Sequence, residues 1–215
     1  MRLGIVWLAG VGGVVVQAAV ALGPSAAALA PPVINVTRVT DVGGASSDLR
    51  LPDLDNQLVD PLTLPPGAKA IAFLFISVEC PISNRYAPEI RRVHDAFAAR
   101  GIAFRLVYPN PADSPAMIRG HLKDYNLPAT VLRDPKQALA RLTQATITPE
   151  AAVYDAHARR LYLGRIDDRY VSLGLERPSA TRHDLEDALV ATLAGQRVSV
   201  PAAPAVGCFI ADFAR

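Results

Sequence analysis

Apolar residues recur along this chain with two different spacings, and the spacings alternate. Ala70 to Ile76 is a continuous apolar run, AIAFLFI, rich in Phe and Ile. A run so short and so apolar predicts a strand buried on both faces. From Asn84 to Arg100 the apolar positions Ile90, Val93 and Phe97 fall three and four apart, which predicts a helix with one buried face. Pro88 should kink or restart that helix, and Gly101 should cap its end. Ile102 to Tyr108 reads as the next strand, and Pro109-Asn110-Pro111 as a turn. A helix to about Tyr125 follows, with Asp113 or Ser114 as its cap and Pro115 in its first turn. Ala129 to Leu132 reads as a short strand and Pro135 to Leu142 as a short helix. Thr148-Pro149 introduces a strand over Glu150 to Asp155, which turns and returns antiparallel over Arg160 to Ile166. Thr181-Arg182-His183-Asp184 has capping-box spacing. It opens a helix to Leu193 with Leu185, Leu189, Val190 and Leu193 inward and Gly195 at its end.

Ahead of the first buried strand, Asp48 to Leu58 alternates around an Asp-Asn turn and predicts a small hairpin. Strands and helices alternate at first and a hairpin comes late. That order predicts an α/β fold with a central mixed sheet flanked by helices, parallel early and antiparallel at the end.

Residues 1–30 differ from the rest. Met1-Arg2 is a positive start, Leu3 to Leu22 is almost wholly apolar, and Ser25 to Ala30 offers small residues at A-x-A spacing. This is a secretory signal pattern, with cleavage expected after Ala27 or Ala28. The apolar run also approaches the ~20 residues of a membrane span, so an uncleaved anchor at 3–22 is the alternative. Both place the remainder in the periplasm or outside the cell. Residues 31–47, with a strand-like patch at Val33 to Val39, read as a linker, 48–194 as the folded domain and 195–215 as a C-terminal tail. A net charge of +2 with 20% charged residues, and no clustered basic face, gives no nucleic-acid footprint.

The chain has two cysteines, Cys80 and Cys208. Cys80 falls where the buried strand hands over to a helix, among backbone N–H groups without helical partners. Such a position favours a thiolate and predicts an exposed, reactive sulfur. Pro81 suits the first helical turn. Gly195 to Cys208 spans up to ~43–47 Å when extended, enough to bring Cys208 to Cys80. The two cysteines then form either a structural staple or a redox pair.

These residues resemble the redoxin branch of the thioredoxin superfamily, which includes the peroxiredoxins of the alkyl hydroperoxide reductase/thiol-specific antioxidant type. DLRLPDLDNQ resembles the redoxins' opening hairpin, and AIAFLFIS leads into Cys80-Pro81. LPATVLRDPKQALARL resembles the redoxin insertion, and Gly207-Cys208-Phe209-Ile210 resembles the GC-x-I tail of exported members. The resemblance implies a thioredoxin-like fold and oxidoreductase activity, either thiol–disulfide or peroxide-reducing. It implies Cys80 as nucleophile, Cys208 as resolving thiol, and Pro149 as a cis-proline facing them with Thr148 presenting its backbone. It implies protein thiols or disulfides, or small peroxides, as substrates, an external thiol as reductant, and no cofactor or metal.

Two departures qualify the peroxidase reading. The motif Cys80-Pro81-Ile82-Ser83 lacks a second local thiol. Ser77 matches the hydroxyl three residues before a peroxidatic cysteine, but Phe73 stands where that signature has proline. Arg85 is a secondary expectation, as a cation lowering the Cys80 pKa. A copper-handling protein and a non-catalytic binding module are the alternatives from other classes. The copper reading is weakened by Asn84 where a second soft ligand would stand, and His121, His157 and His183 read as surface or turn residues.

Overall fold

The computed structural model describes residues 48–128 and 130–210. The expected signal segment, linker and Val33 to Val39 strand lie outside them. A hairpin of β1 (Leu51–Pro52) and β2 (Leu58–Val59) opens the described chain. Then come β3 (Ala70–Phe75), α1 (Pro81–Arg85), α2 (Ala87–Phe97), β4 (Ile102–Tyr108), α3 (Pro115–Asp124), β5 (Thr130–Arg133) and α4 (Ala138–Thr143). β6 (Ile147–Thr148), β7 (Glu150–Asp155), β8 (Arg160–Gly164), β9 (Tyr170–Ser172), β10 (Leu175–Glu176), α5 (Asp184–Leu193), β11 (Ala202–Ala203) and β12 (Cys208–Phe209) complete it.

Six strands form one mixed sheet in the order β11-β8-β7-β3-β4-β5. β3 is central, parallel to β4 and antiparallel to β7, and all six of its residues are buried. Its side chains alternate between two cores, as the period of a strand requires. Ala70, Ala72 and Leu74 face Ile90, Val93 and Phe97 of α2, Ile118 of α3 and Leu185 and Leu189 of α5. Ile71, Phe73 and Phe75 face Leu139 and Ala140 of α4 and Leu51 of the hairpin. Helices therefore cover both faces, and the carboxyl end of β3 delivers the chain to Cys80.

The predicted helix over 84–100 is two helices. α1 begins at Pro81, and α2 restarts at Ala87 with Pro88 in its first turn. A 3₁₀ turn over Ala98–Arg100 continues α2, and Gly101 caps it in the left-handed region, φ 105°. Ser114 caps α3 through its hydroxyl, while Asp113 is used elsewhere. The capping box at Thr181 does not form. α5 starts at Asp184, and Thr181 instead donates both its N–H and its hydroxyl to Asp168. Val190 points outward, and Ala188 takes the inward position beside Leu185 and Leu189.

The tail continues the fold. β11 adds parallel to β8, with Leu163 N–H donating to Pro201 and Arg165 N–H to Ala203 (3.0 Å each). Gly164 makes room for it: a Cβ there would lie 2.1 Å from the Ala203 carbonyl oxygen. β12 then pairs antiparallel with β6.

Candidate functional site

Cys80 is the N-cap residue of α1, and its Sγ accepts the Ser83 N–H at 3.4 Å. Pro81 takes the next position, where its missing N–H has no helical partner to lose. The thiol donates to the Thr148 carbonyl oxygen at 3.0 Å, and the Thr148–Pro149 bond is cis. Glu150 steadies the approach to that bond, its Oε2 accepting the N–H groups of Thr146 (2.8 Å) and Ile147 (3.2 Å).

Cys208 arrives from the opposite side. It lies across from Thr148 in the β6–β12 pair, and Thr148 Oγ1 donates to its carbonyl at 3.3 Å. A side chain at position 207 would block this approach, since a Cβ there would come 2.1 Å from the Thr148 carbonyl oxygen. Glycine is the residue that fits. Both thiols are free, Cys80 buried and Cys208 half-buried.

The exposed sulfur expected at position 80 is not found: Cys80 is 2% exposed. β6, through Thr148, and the tail, through Cys208, close over it. Burial pushes the Cys80 pKa up, but hydrogen bonds from the Cys208 thiol, from the Ser83 side chain and N–H, and from Thr148 outweigh it. The net result is a pKa below the ordinary thiol value. The Thr148 carbonyl works the other way, because a thiolate cannot donate to it. Cys208 is pushed up to about 11, by burial and by the hydrogen bond and charge of Cys80. The pair is therefore asymmetric: Cys80 ionises first and Cys208 keeps its proton.

A cleft of about 260 Å³ opens at this pair. Ser77, Glu79, Cys80, Thr148 and Cys208 line it, joined by Pro109, Asn110, Gln137, Phe209 and Ile210. Ser77 donates to Asp113 Oδ2 at 3.4 Å, and the Val78 N–H does the same. Burial raises the Asp113 pKa, and the neighbouring Glu79 charge adds to it. Asn84, Arg85 and Tyr86 line no part of this cleft. Arg85 pairs with Glu176 at 3.1 Å on the surface, so it is not the cation acting on Cys80. Tyr86 donates to Asp167 at 2.6 Å.

His121, expected at the surface, is buried behind the site. Asn84 Nδ2 donates to the Val78 carbonyl, so its Oδ1 accepts from His121 Nε2 at 2.8 Å. The other ring nitrogen then accepts from the Tyr108 hydroxyl at 2.8 Å. This chain of bonds ties the loop before Cys80 to β4 and α3, and burial holds the His121 pKa down. None of the four histidines lines the cleft.

A buried cysteine at the mouth of a short helix, beyond the carboxyl end of the central strand and facing a cis-proline, defines a thioredoxin-like redoxin. The chain belongs to the AhpC/TSA family, whose model matches residues 42–163, more than half its length. No curated protein matches it in sequence. Among solved structures it is similar to a hypothetical protein of Sinorhizobium meliloti 1021, with 26% identity, TM-score 0.65, and 78% of this chain and 92% of that one covered. It is also similar to an uncharacterized conserved protein of Geobacillus kaustophilus, with 25% identity, TM-score 0.64, and 78% and 90% covered. A putative thiol:disulfide interchange protein DsbE of Chlorobium tepidum shares the fold, with 20% identity, TM-score 0.52, and 70% and 96% covered.

Proposed function

We infer that this protein is an exported redoxin that carries out thiol–disulfide exchange, with Cys80 attacking and Cys208 resolving. The observation that carries this reading is the meeting of the two sulfurs across Thr148, one pKa lowered and the other pushed up to about 11. A structural staple needs no such asymmetry, whereas an exchange reaction uses it. The more acidic thiol is ionised when substrate arrives, and the other waits as a thiol.

The Cys80 thiolate attacks one sulfur of a protein disulfide. An S–S bond forms to Cys80, the substrate's own S–S bond breaks, and its second sulfur leaves as a thiolate that takes a proton from solvent. Cys208 then gives its proton to solvent and attacks Cys80 Sγ. The Cys80–Cys208 disulfide forms and the first substrate sulfur leaves. Two electrons have passed from the cysteine pair to the substrate, and an external thiol reductant restores the pair.

Attack on a peroxide would instead give a Cys80 sulfenic acid. Thiol exchange is the better-supported reaction. The Ser77 hydroxyl is directed at Asp113, and among the described residues none that lines the cleft is a Lys or Arg that would stabilise a departing hydroxide. A copper centre built on Cys80, Cys208 and a histidine finds no imidazole among those residues. Export and the signal or anchor role of residues 1–30 rest on the sequence pattern alone. Among the described residues no helix is long and apolar enough to cross a membrane.

Trapping tests the assignment. In Cys208→Ser a disulfide-bonded substrate protein should accumulate as a covalent adduct on Cys80. In Cys80→Ser no adduct should form. An adduct on Cys208 in the second variant would refute the assignment of roles.

A further inference from the structure

β6 carries the prolyl bond and faces Cys80, and its outer edge is filled by the chain's own tail. Cys208 pairs with Thr148 and Phe209 with Ile147. The Ile210 N–H donates to the Thr146 carbonyl at 2.8 Å. A ladder of this kind reads main chain rather than side chains, so another extended segment can form it equally well. The one side-chain requirement is at position 207, where a Cβ would strike the Thr148 carbonyl.

The tail's two attachments differ. β11 is fitted into the main sheet over Gly164, with Ala203 buried. β12 is two residues long and its Phe209 side chain is 80% exposed. Beyond its few main-chain bonds, β12 is held by the Thr148 Oγ1 bond to the Cys208 carbonyl, by the half-buried Cys208, and by two flanking residues: Val206, packed on the core that contains Leu74, and Ile210, packed on the core that contains Leu51 and Phe73. Only residues 204–207 separate the two strands. A released β12 therefore stays close, at an effective concentration on the order of millimolar.

We propose that β12 is a self-docked gate, displaced from the edge of β6 by an extended, cysteine-bearing segment of another polypeptide. This rests on Cys80 being the reactive thiol. The segment's chemistry follows from what it replaces: a small residue at the Gly207 position, cysteine at 208, an outward side chain at 209 and an apolar one at 210. The cleft left open beside β12, about 260 Å³, falls below the ~300–1,000 Å³ of sites that enclose drug-sized ligands, and it cannot admit a polypeptide strand while β12 is in place. Return of the tail then does two things at once. It pushes the substrate strand off β6, and it brings Cys208 back to Cys80 to resolve the mixed disulfide.

The test uses full-length chain carrying Cys80→Ser and Cys208→Ser, so that no sulfur chemistry contributes. The probe is a fluorescent peptide of residues 204–210 with Cys208→Ser, and binding is read by anisotropy. Adding Gly207→Val to the chain should release the tail, seen as loss of hydrogen-exchange protection at the Ile210 amide. Peptide affinity should then rise at least ten-fold over the parent. Ile210→Asp, which places a charge in the core contact, is the second variant and should give the same gain. Equal affinity in parent and variants, or no gain in either variant, overturns the gate and leaves the small cleft as the sole route to Cys80. Because both sulfurs are absent, this result is independent of whether the cysteines exchange disulfides.

Discussion

Cys80 Sγ lies 3.0 Å from the carbonyl oxygen of Thr148, and Thr148 is the residue paired across the strand with Cys208. One threonine thus contacts both cysteines. Its carbonyl accepts a hydrogen bond from the Cys80 thiol, and its hydroxyl donates one to the Cys208 carbonyl. The properties of each sulfur therefore depend on the other.

Removing one sulfur should change the other. The Cys208 thiol is the first of the donors that draw the Cys80 pKa down against burial. In Cys208→Ala, with that donor gone, the Cys80 pKa should rise and its alkylation at neutral pH should slow several-fold. The pH dependence of iodoacetamide reaction measures this. An unmoved midpoint would mean that the helix mouth alone activates Cys80.

The pair should also leave a mark on stability against pH. Cys80 is lowered in the fold, so its contribution grows as pH rises from its folded value toward the ordinary thiol value of about 8.5. Cys208 is raised, so its contribution is complete below that value and is lost as pH climbs toward about 11. The urea midpoint of the reduced wild type, minus that of the Cys80→Ser, Cys208→Ser double variant, should therefore pass through a maximum. A flat difference would contradict the coupling.

His121 should make the fold acid-sensitive. Its folded pKa is lowered by burial, with Asp124 acting weakly in the opposite sense. Its contribution is therefore present above about 6.5 and lost as pH falls from there through the lowered folded value. Asp134 is pushed up to about 6 by burial and acts with the opposite sign as pH rises from about 4 to 6. The wild-type curve alone mixes the two. The difference between wild type and His121→Gln between pH 5 and 7.5 isolates the histidine and should slope upward with pH.

Two glycines should respond in opposite directions to alanine. Gly164→Ala puts a Cβ 2.1 Å from the Ala203 carbonyl oxygen and 2.7 Å from its nitrogen. β11 must shift, at a cost of about 1–3 kcal/mol. Gly120 lies within α3 with nothing in reach of a Cβ, so Gly120→Ala should stabilise by up to about 1 kcal/mol. Denaturant midpoints of the two variants decide this, and a neutral Gly164→Ala would mean that the tail is not seated on β8.

The sheet was readable because β3 is buried on both sides and therefore apolar at every position. Helix faces were readable where spacing and burial coincide, as at Ile90, Val93 and Phe97. Local signals misled where a distant partner claimed a residue. Thr181 was needed by Asp168, and His121 was drawn inward between Tyr108 and Asn84. The same holds at the site. Cys80, Ser77, Thr148 and Pro149 mark themselves by position near a strand end or a prolyl bond. Pro109, Asn110 and Gln137 reach the cleft only because β4 ends and α4 begins there. Nothing in their own neighbourhoods signals it. That Cys80 is buried was equally illegible, since the covering strand is 128 residues away. The hints on offer were the tail's reach from Gly195 to Cys208 and Gly207 beside Cys208, a residue that lets two backbones meet.

Mapping the cysteines at redox equilibrium addresses the central claim most directly. The intact protein would be held in defined ratios of reduced and oxidised glutathione, quenched in acid, digested and examined by mass spectrometry. The proposed mechanism predicts one internal Cys80–Cys208 link in a monomeric chain, appearing with the loss of two hydrogens as the ratio becomes oxidising. A Cys80 that holds glutathione as a persistent mixed disulfide while Cys208 stays a free thiol would contradict it.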